Sequence, residues 1–134
     1  MRYLLTAKNL SKQYIQTQGF FSRKKTVIDA LDNVSLNIKK GSTLAVVGES
    51  GSGKSTLAKS LIRLVNTDKG QVIFDGTDFL NLDSSALKVK RKNLQMIFQD
   101  PYASLNPRMS IQSIMEEPLL IHKIGTKIEK QKKN

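Results

Sequence analysis

The sequence contains no cysteine, and that one absence removes disulfide scaffolds, thiol catalysis and thiolate metal sites together. A single histidine, His122, is too few for a histidine metal cluster. Long hydrophobic runs are missing too. The longest aliphatic stretch is Leu44-Ala45-Val46-Val47, far short of a membrane span. Met1 to Lys8 holds no apolar region long enough for a secretory signal. A soluble, cytoplasmic chain is therefore expected. What is present is a globular mix, 39% hydrophobic and 25% charged over 134 residues, enough for one domain and too short for two.

Acidic residues are absent from residues 1–25, which carry six basic ones, and Glu129 alone opposes five lysines in residues 123–134. Of the net charge of +11, residues 26–122 hold only +1. A nucleic-acid binder would more often carry its basic face on the folded body, with aromatics interleaved. Solvated ends are the favoured reading, and no nucleic-acid partner is expected. Attraction to an anionic membrane surface stays open as a weaker idea.

The first 40 residues read as strands. Val34, Leu36 and Ile38 alternate with polar residues, a period of two suited to a half-buried strand. Residues 16–26, with Gly19, Phe20-Phe21 and Arg23-Lys24-Lys25, read as an inserted loop. Ser42 to Val47 predicts a short strand buried on both faces, as in a parallel sheet. Leu57 to Val65 recurs at helical spacing, with Lys59 and Arg63 on the other face, and Asn66 to Gly70 closes that helix. Gln71 to Leu80 predicts a hairpin turning at Asp75-Gly76. Ser84 is the expected cap of a short basic helix, and Leu94 to Phe98 predicts another strand, stopped by Asp100-Pro101. Ile111 to Leu119 suggests a helix kinked or interrupted at Pro118.

The chemistry concentrates in Gly48-Glu49-Ser50-Gly51-Ser52-Gly53-Lys54-Ser55-Thr56, which fits G-x-x-x-x-G-K-[ST]. Glycines let the backbone turn tightly and aim successive N–H groups at one point. Those donors and the positive end of the following helix form a nest for phosphate oxygens. Lys54 can reach the β- and γ-phosphates, and the Ser55 hydroxyl can ligate Mg²⁺. Chance supplies this pattern about four times per 100,000 positions at average usage, so a plain Gly/Ser linker is a poor explanation.

A phosphate loop alone does not choose among kinases, GTPases and transport ATPases. Some 40 strand-like residues precede it, however, and Asn9-Leu10-Ser11-Lys12-Gln13-Tyr14, Gly70-Gln71-Val72-Ile73-Phe74-Asp75-Gly76 and Met96-Ile97-Phe98-Gln99-Asp100-Pro101 flank it. Together these resemble the ATP-binding cassette family. The run Phe98 to Arg108, with Gly48 to Gly51 and the basic insertion, is similar to its oligopeptide/dipeptide and nickel importer branch. The resemblance covers almost all of residues 4–122.

It implies an α/β fold, a P-loop NTPase core with an antiparallel β subdomain. About 4–106 would be β subdomain and core; about 107–134 would begin the helical subdomain and end in a basic tail. The resemblance implies nucleotide binding by Tyr14 (stacking adenine), Gly48, Glu49, Ser50, Gly51, Ser52, Gly53, Lys54, Ser55, Thr56 and Gln99. Phe20 or Phe21 could take the place of Tyr14, and the Glu49 side chain should point away from phosphate. Ser55 and Gln99 would hold Mg²⁺ beside ATP. The implied partners are transmembrane permease subunits, a second ATP-binding subunit and, indirectly, a substrate-binding protein. The implied location is the inner face of the cell membrane, as a peripheral protein.

The family also uses an L-S-G-G-Q signature, an apolar strand ending in Asp with a catalytic Glu, and a switch histidine. No Gly-Gly pair occurs, Val72 to Asp75 leads into the hairpin turn, and His122 follows no strand. The sequence thus stops before the signature and the Walker B strand, and no catalytic residue is assigned. Three readings compete: a transport ATPase fragment, a nucleotide-binding module without hydrolysis, and a different P-loop enzyme such as a small kinase. The Phe-Gln-Asp-Pro run argues against the third. The strand at residues 44–47 is expected to lack ladder partners on one flank.

Overall fold

The computed structural model describes residues 3–17, 25–100 and 105–125. The chain gathers into two compact units, Met1–Leu87 and Lys88–Asn134. In the first, β1 (Tyr3–Thr17) and β2 (Lys25–Lys39) form a long antiparallel ribbon. β3 (Lys69–Phe74) pairs with the other edge of β1, and β4 (Thr77–Asp78) completes the order β2-β1-β3-β4. The expected insertion is partly strand: Gln16 pairs with Thr26 and Thr17 with Lys25. Phe20 and Phe21 lie outside the described residues.

Side-chain parity explains the core. Leu5 and Ala7 face inward, and strict alternation would next bury Asn9. Instead the register slips between Ala7 and Leu10, and Leu10 is fully buried. Asn9 and Asn33 take left-handed φ angles of 53° and 52° at the slip, which asparagine tolerates better than most residues. Their side chains bond each other at 2.7 Å, and Ser35 Oγ accepts from the Asn9 N–H at 2.9 Å. Leu31, Leu57, Val72, Phe74 and Phe79 complete this core. The Phe79 ring meets Phe74 edge to face, with centroids 6.1 Å apart. Asp75 and Gly76, both at positive φ, make the expected tight turn between β3 and β4.

α1 (Lys54–Leu61) is shorter than its apolar periodicity suggests. Arg63 stands at φ 53°, out of the helix, and its guanidinium donates to the carbonyls of Leu82 (2.6 Å) and Phe79 (3.4 Å). A residue read as a solvated helix face therefore ties down the segment after β4. α2 (Ser84–Lys90) is capped by Asp83 rather than Ser84: one Asp83 oxygen accepts from the N–H groups of Ser85 and Ala86, each at 2.8 Å. A carboxylate does this more strongly than a hydroxyl.

Two expected strands are absent. Ser42 to Val47 has no ladder partner among the described residues, and neither does Leu94 to Phe98. An extended segment becomes a strand only when a neighbour takes up its backbone groups. Val47 is 89% exposed and Ile97 95%. In the second unit, a short 3-10 turn at Arg91–Asn93 and α3 (Ile111–Ile121) are formed. α3 continues through Pro118 as one helix, and Ser110 caps it by accepting from the Ser113 N–H at 3.1 Å. His122 follows α3 as its C-cap, and its backbone carbonyl accepts from Lys92 Nζ at 3.2 Å.

Three carboxylates of the first unit lie below their ordinary value of 3.8. Asp68 is lowered chiefly by the hydrogen bond from Lys12, Asp78 by that from Gln71, and Asp83 by the Ala86 N–H. A depressed folded value gives stability that is complete above the unfolded value and lost as pH falls through the folded one. The thermal midpoint of the sheet signal in circular dichroism should therefore hold from neutrality to about pH 4 and drop below it. A midpoint already falling between pH 7 and pH 5, to about the same extent as below pH 4, would contradict this.

Candidate phosphate-binding site

The loop between the apolar segment and α1 is shaped by glycine. Gly51 and Gly53 stand at φ 82° and 90°, where an L side chain is strained. At Gly53 space is equally decisive, because a Cβ there would run into the Ala30 carbonyl. Gly53 is also the N-cap of α1, so no side chain caps the helix. The first intrahelical bond runs from Leu57 N to Gly53 O at 2.8 Å. Helix geometry leaves the N–H groups of Lys54, Ser55 and Thr56 without intrahelical acceptors. No acidic residue stands in that first turn to compete for them.

Lys54 closes the loop. Its ammonium donates to Gly48 O at 2.7 Å, Glu49 O at 2.6 Å and Ser52 Oγ at 3.2 Å. An ammonium has three N–H donors, and these three acceptors match them. The cation is thus held inside the ring of backbone that the glycines make. Glu49 joins through its carbonyl, and its side chain takes no part in these bonds. A phosphate chain fits this donor set: a positive charge, a helix N-terminus with a glycine cap, and exposed Ser55 beside them.

Tyr14 lies in the same unit. It is 40% exposed and pairs with Ile28 on β2. Two residues further along β2 is Ala30, whose carbonyl abuts Gly53, about 7 Å by strand rise. The ribbon carrying the aromatic is therefore seated directly on the glycine loop. Gln99 is exposed and belongs to the second unit. Sequence reading missed Ala30, Lys12 and Asp68. Asp68 accepts from Lys12 Nζ at 2.9 Å and from the Gln13 N–H at 2.6 Å. The only signal of Lys12 and Asp68 was polar composition, which is equally that of a loop, and Ala30 carried none.

Comparison with known proteins agrees with this geometry. The ABC transporter family matches residues 31–134. The chain is 45% identical over 131 residues to the oligopeptide transport ATP-binding protein AppF of Bacillus subtilis, covering 97% of this chain and 40% of that protein. It is 44% identical over 130 residues to the dipeptide transport ATP-binding protein DppF of Escherichia coli, covering 97% and 39%. The chain thus spans about two-fifths of the length of the curated relatives it matches. Among solved structures, a dimeric ATP-binding cassette in a post-hydrolysis state, bound to ADP and Pi, superposes with a TM-score of 0.77. That match has 31% identity and covers 96% of this chain and 53% of that one. A glycine-capped helix behind an antiparallel ribbon, matched over most of the chain in sequence and in shape, has one reading: the chain belongs to the ABC transporter family.

Proposed function

We propose that this chain is the nucleotide-binding part of an ATP-driven peptide importer. The observation that carries the proposal is the Lys54 ammonium held in a glycine-capped loop at the start of α1. In this reading Gly48 to Thr56 bind the phosphates and Tyr14 stacks on the base. Ser55 would help to hold Mg²⁺, which would supply charge neutralisation of the phosphate oxygens. Residues from about 107 onward begin the helical subdomain. Permease subunits and a second ATP-binding subunit are the partners, at the inner face of the membrane. The names of the curated relatives favour peptides as cargo.

A chimera tests this directly. The matching segment of the Escherichia coli dipeptide protein is replaced by residues 1–134, and dipeptide uptake is measured in cells lacking the native subunit. Uptake should be retained, and Lys54→Ala within the chimera should abolish it. A chimera that is expressed and binds ATP yet supports no dipeptide uptake would overturn the peptide assignment.

A further inference from the structure

We propose that Asp68 and Lys12 are positioning residues that fix the Tyr14 ring over the phosphate loop, so that base affinity depends on a carboxylate beyond the C-terminal end of α1. The inference rests on the proposed nucleotide site and deepens it. Near Tyr14 the ribbon is irregular. Lys12 pairs with Leu31 but Gln13 with Asp29, so one step on β1 spans two on β2 and Ala30 bulges. A bulge weakens the ladder and re-aims the side chains beyond it.

Asp68, just before β3, holds the opposite edge of β1 at this place. Its N–H donates to Ser11 O at 2.9 Å, and its Oδ2 accepts from the Gln13 N–H at 2.6 Å. Its Oδ1 pairs with Lys12 Nζ at 2.9 Å, and that ammonium lies 5.6 Å from the centre of the Tyr14 ring. On its other side Gln13 donates from Nε2 to Asp29 Oδ1 at 2.7 Å. Three successive β1 residues, Ser11 to Gln13, are thus anchored by one aspartate from the segment that follows α1. The same ribbon touches the loop through Ala30 and Gly53. A cation near an aromatic face restricts the ring and draws on its electron density, while the carboxylate keeps the lysine there.

The test compares MgATP with inorganic tripolyphosphate, which has the phosphates and no base, by calorimetry on the 134-residue chain. Asp68→Ala and Lys12→Ala should each weaken ATP binding about fivefold to tenfold, the lower end of the scale of a base–aromatic stack, and leave tripolyphosphate unchanged. Asp68→Asn, which keeps an oxygen for the Gln13 N–H, should lose less and guards against a folding defect. Tyr14→Ala should cost about as much as Asp68→Ala, and the double variant no more than either. Equal losses for both ligands would mean general loosening and overturn the inference. If only Tyr14→Ala weakens ATP, the inference fails while base stacking stands. If Tyr14→Ala is harmless, stacking fails and the inference with it. Absence of binding by the wild-type chain would overturn the nucleotide site itself.

Discussion

Lys54→Ala should weaken ATP binding about tenfold to a hundredfold, the range expected for losing a charge-assisted hydrogen bond to a desolvated anion. Lys54 is the cation whose ammonium lies inside the loop, on Gly48 O, Glu49 O and Ser52 Oγ. Phosphate oxygens compete for donors that these neutral acceptors now occupy, and a full negative charge outcompetes a carbonyl. The substitution also strips the loop of its internal brace. Tripolyphosphate should lose about the same factor as ATP, because both consequences act on the phosphates and neither on the base. Lys54→Arg keeps the charge but not the compact ammonium, and its larger fork should recover only part of the loss. Equal affinities for wild type and Lys54→Ala in calorimetry would sink the phosphate-loop assignment.

The sequence was most legible where local chemistry decides conformation. The Asp75-Gly76 turn, the alternation at Val34, Leu36 and Ile38, and the glycine loop running into α1 each follow from a few adjacent residues. It was least legible where the outcome depends on a partner. Leu44 to Val47 has the composition of a doubly buried strand, yet a strand exists only as part of a ladder, and composition does not report whether the ladder is present. The length of α1 fails for a related reason. Leu64 and Val65 continue the helical period, but Arg63 gains two carbonyl partners by leaving the helix.

The site divides the same way. The phosphate loop is a contiguous motif, so spacing alone reveals it. The brace around Tyr14 joins residues 12, 13, 30 and 68, brought together by a bulge that no periodicity announces. Bulges and aspartates in loops are common, so neither stands out in a single sequence. Asp83 shows the same limit on a smaller scale, since Asp and Ser in adjacent positions are both good caps and only geometry chooses.

The isolated chain should associate rather than persist as a compact monomer. Leu44, Val46 and Val47 are 46%, 48% and 89% exposed, in an extended segment with no ladder partner among the described residues. Ile97 and Phe98 are 95% and 45% exposed in a second such segment. Each presents apolar side chains on a backbone without ladder partners among the described residues, the combination that templates pairing with another chain. Burying these five side chains on each partner would be favourable by roughly 1 kcal/mol or more apiece, a driving force toward association. Sedimentation velocity should therefore show mass rising with concentration, and calorimetry a broad transition without a single cooperative peak. Val47→Lys with Ile97→Lys should shift the distribution toward monomer, since both side chains are nearly fully exposed and neither belongs to the buried core. A monodisperse wild-type monomer that unfolds cooperatively without nucleotide would refute this, and would mean that the two extended segments find partners within the chain.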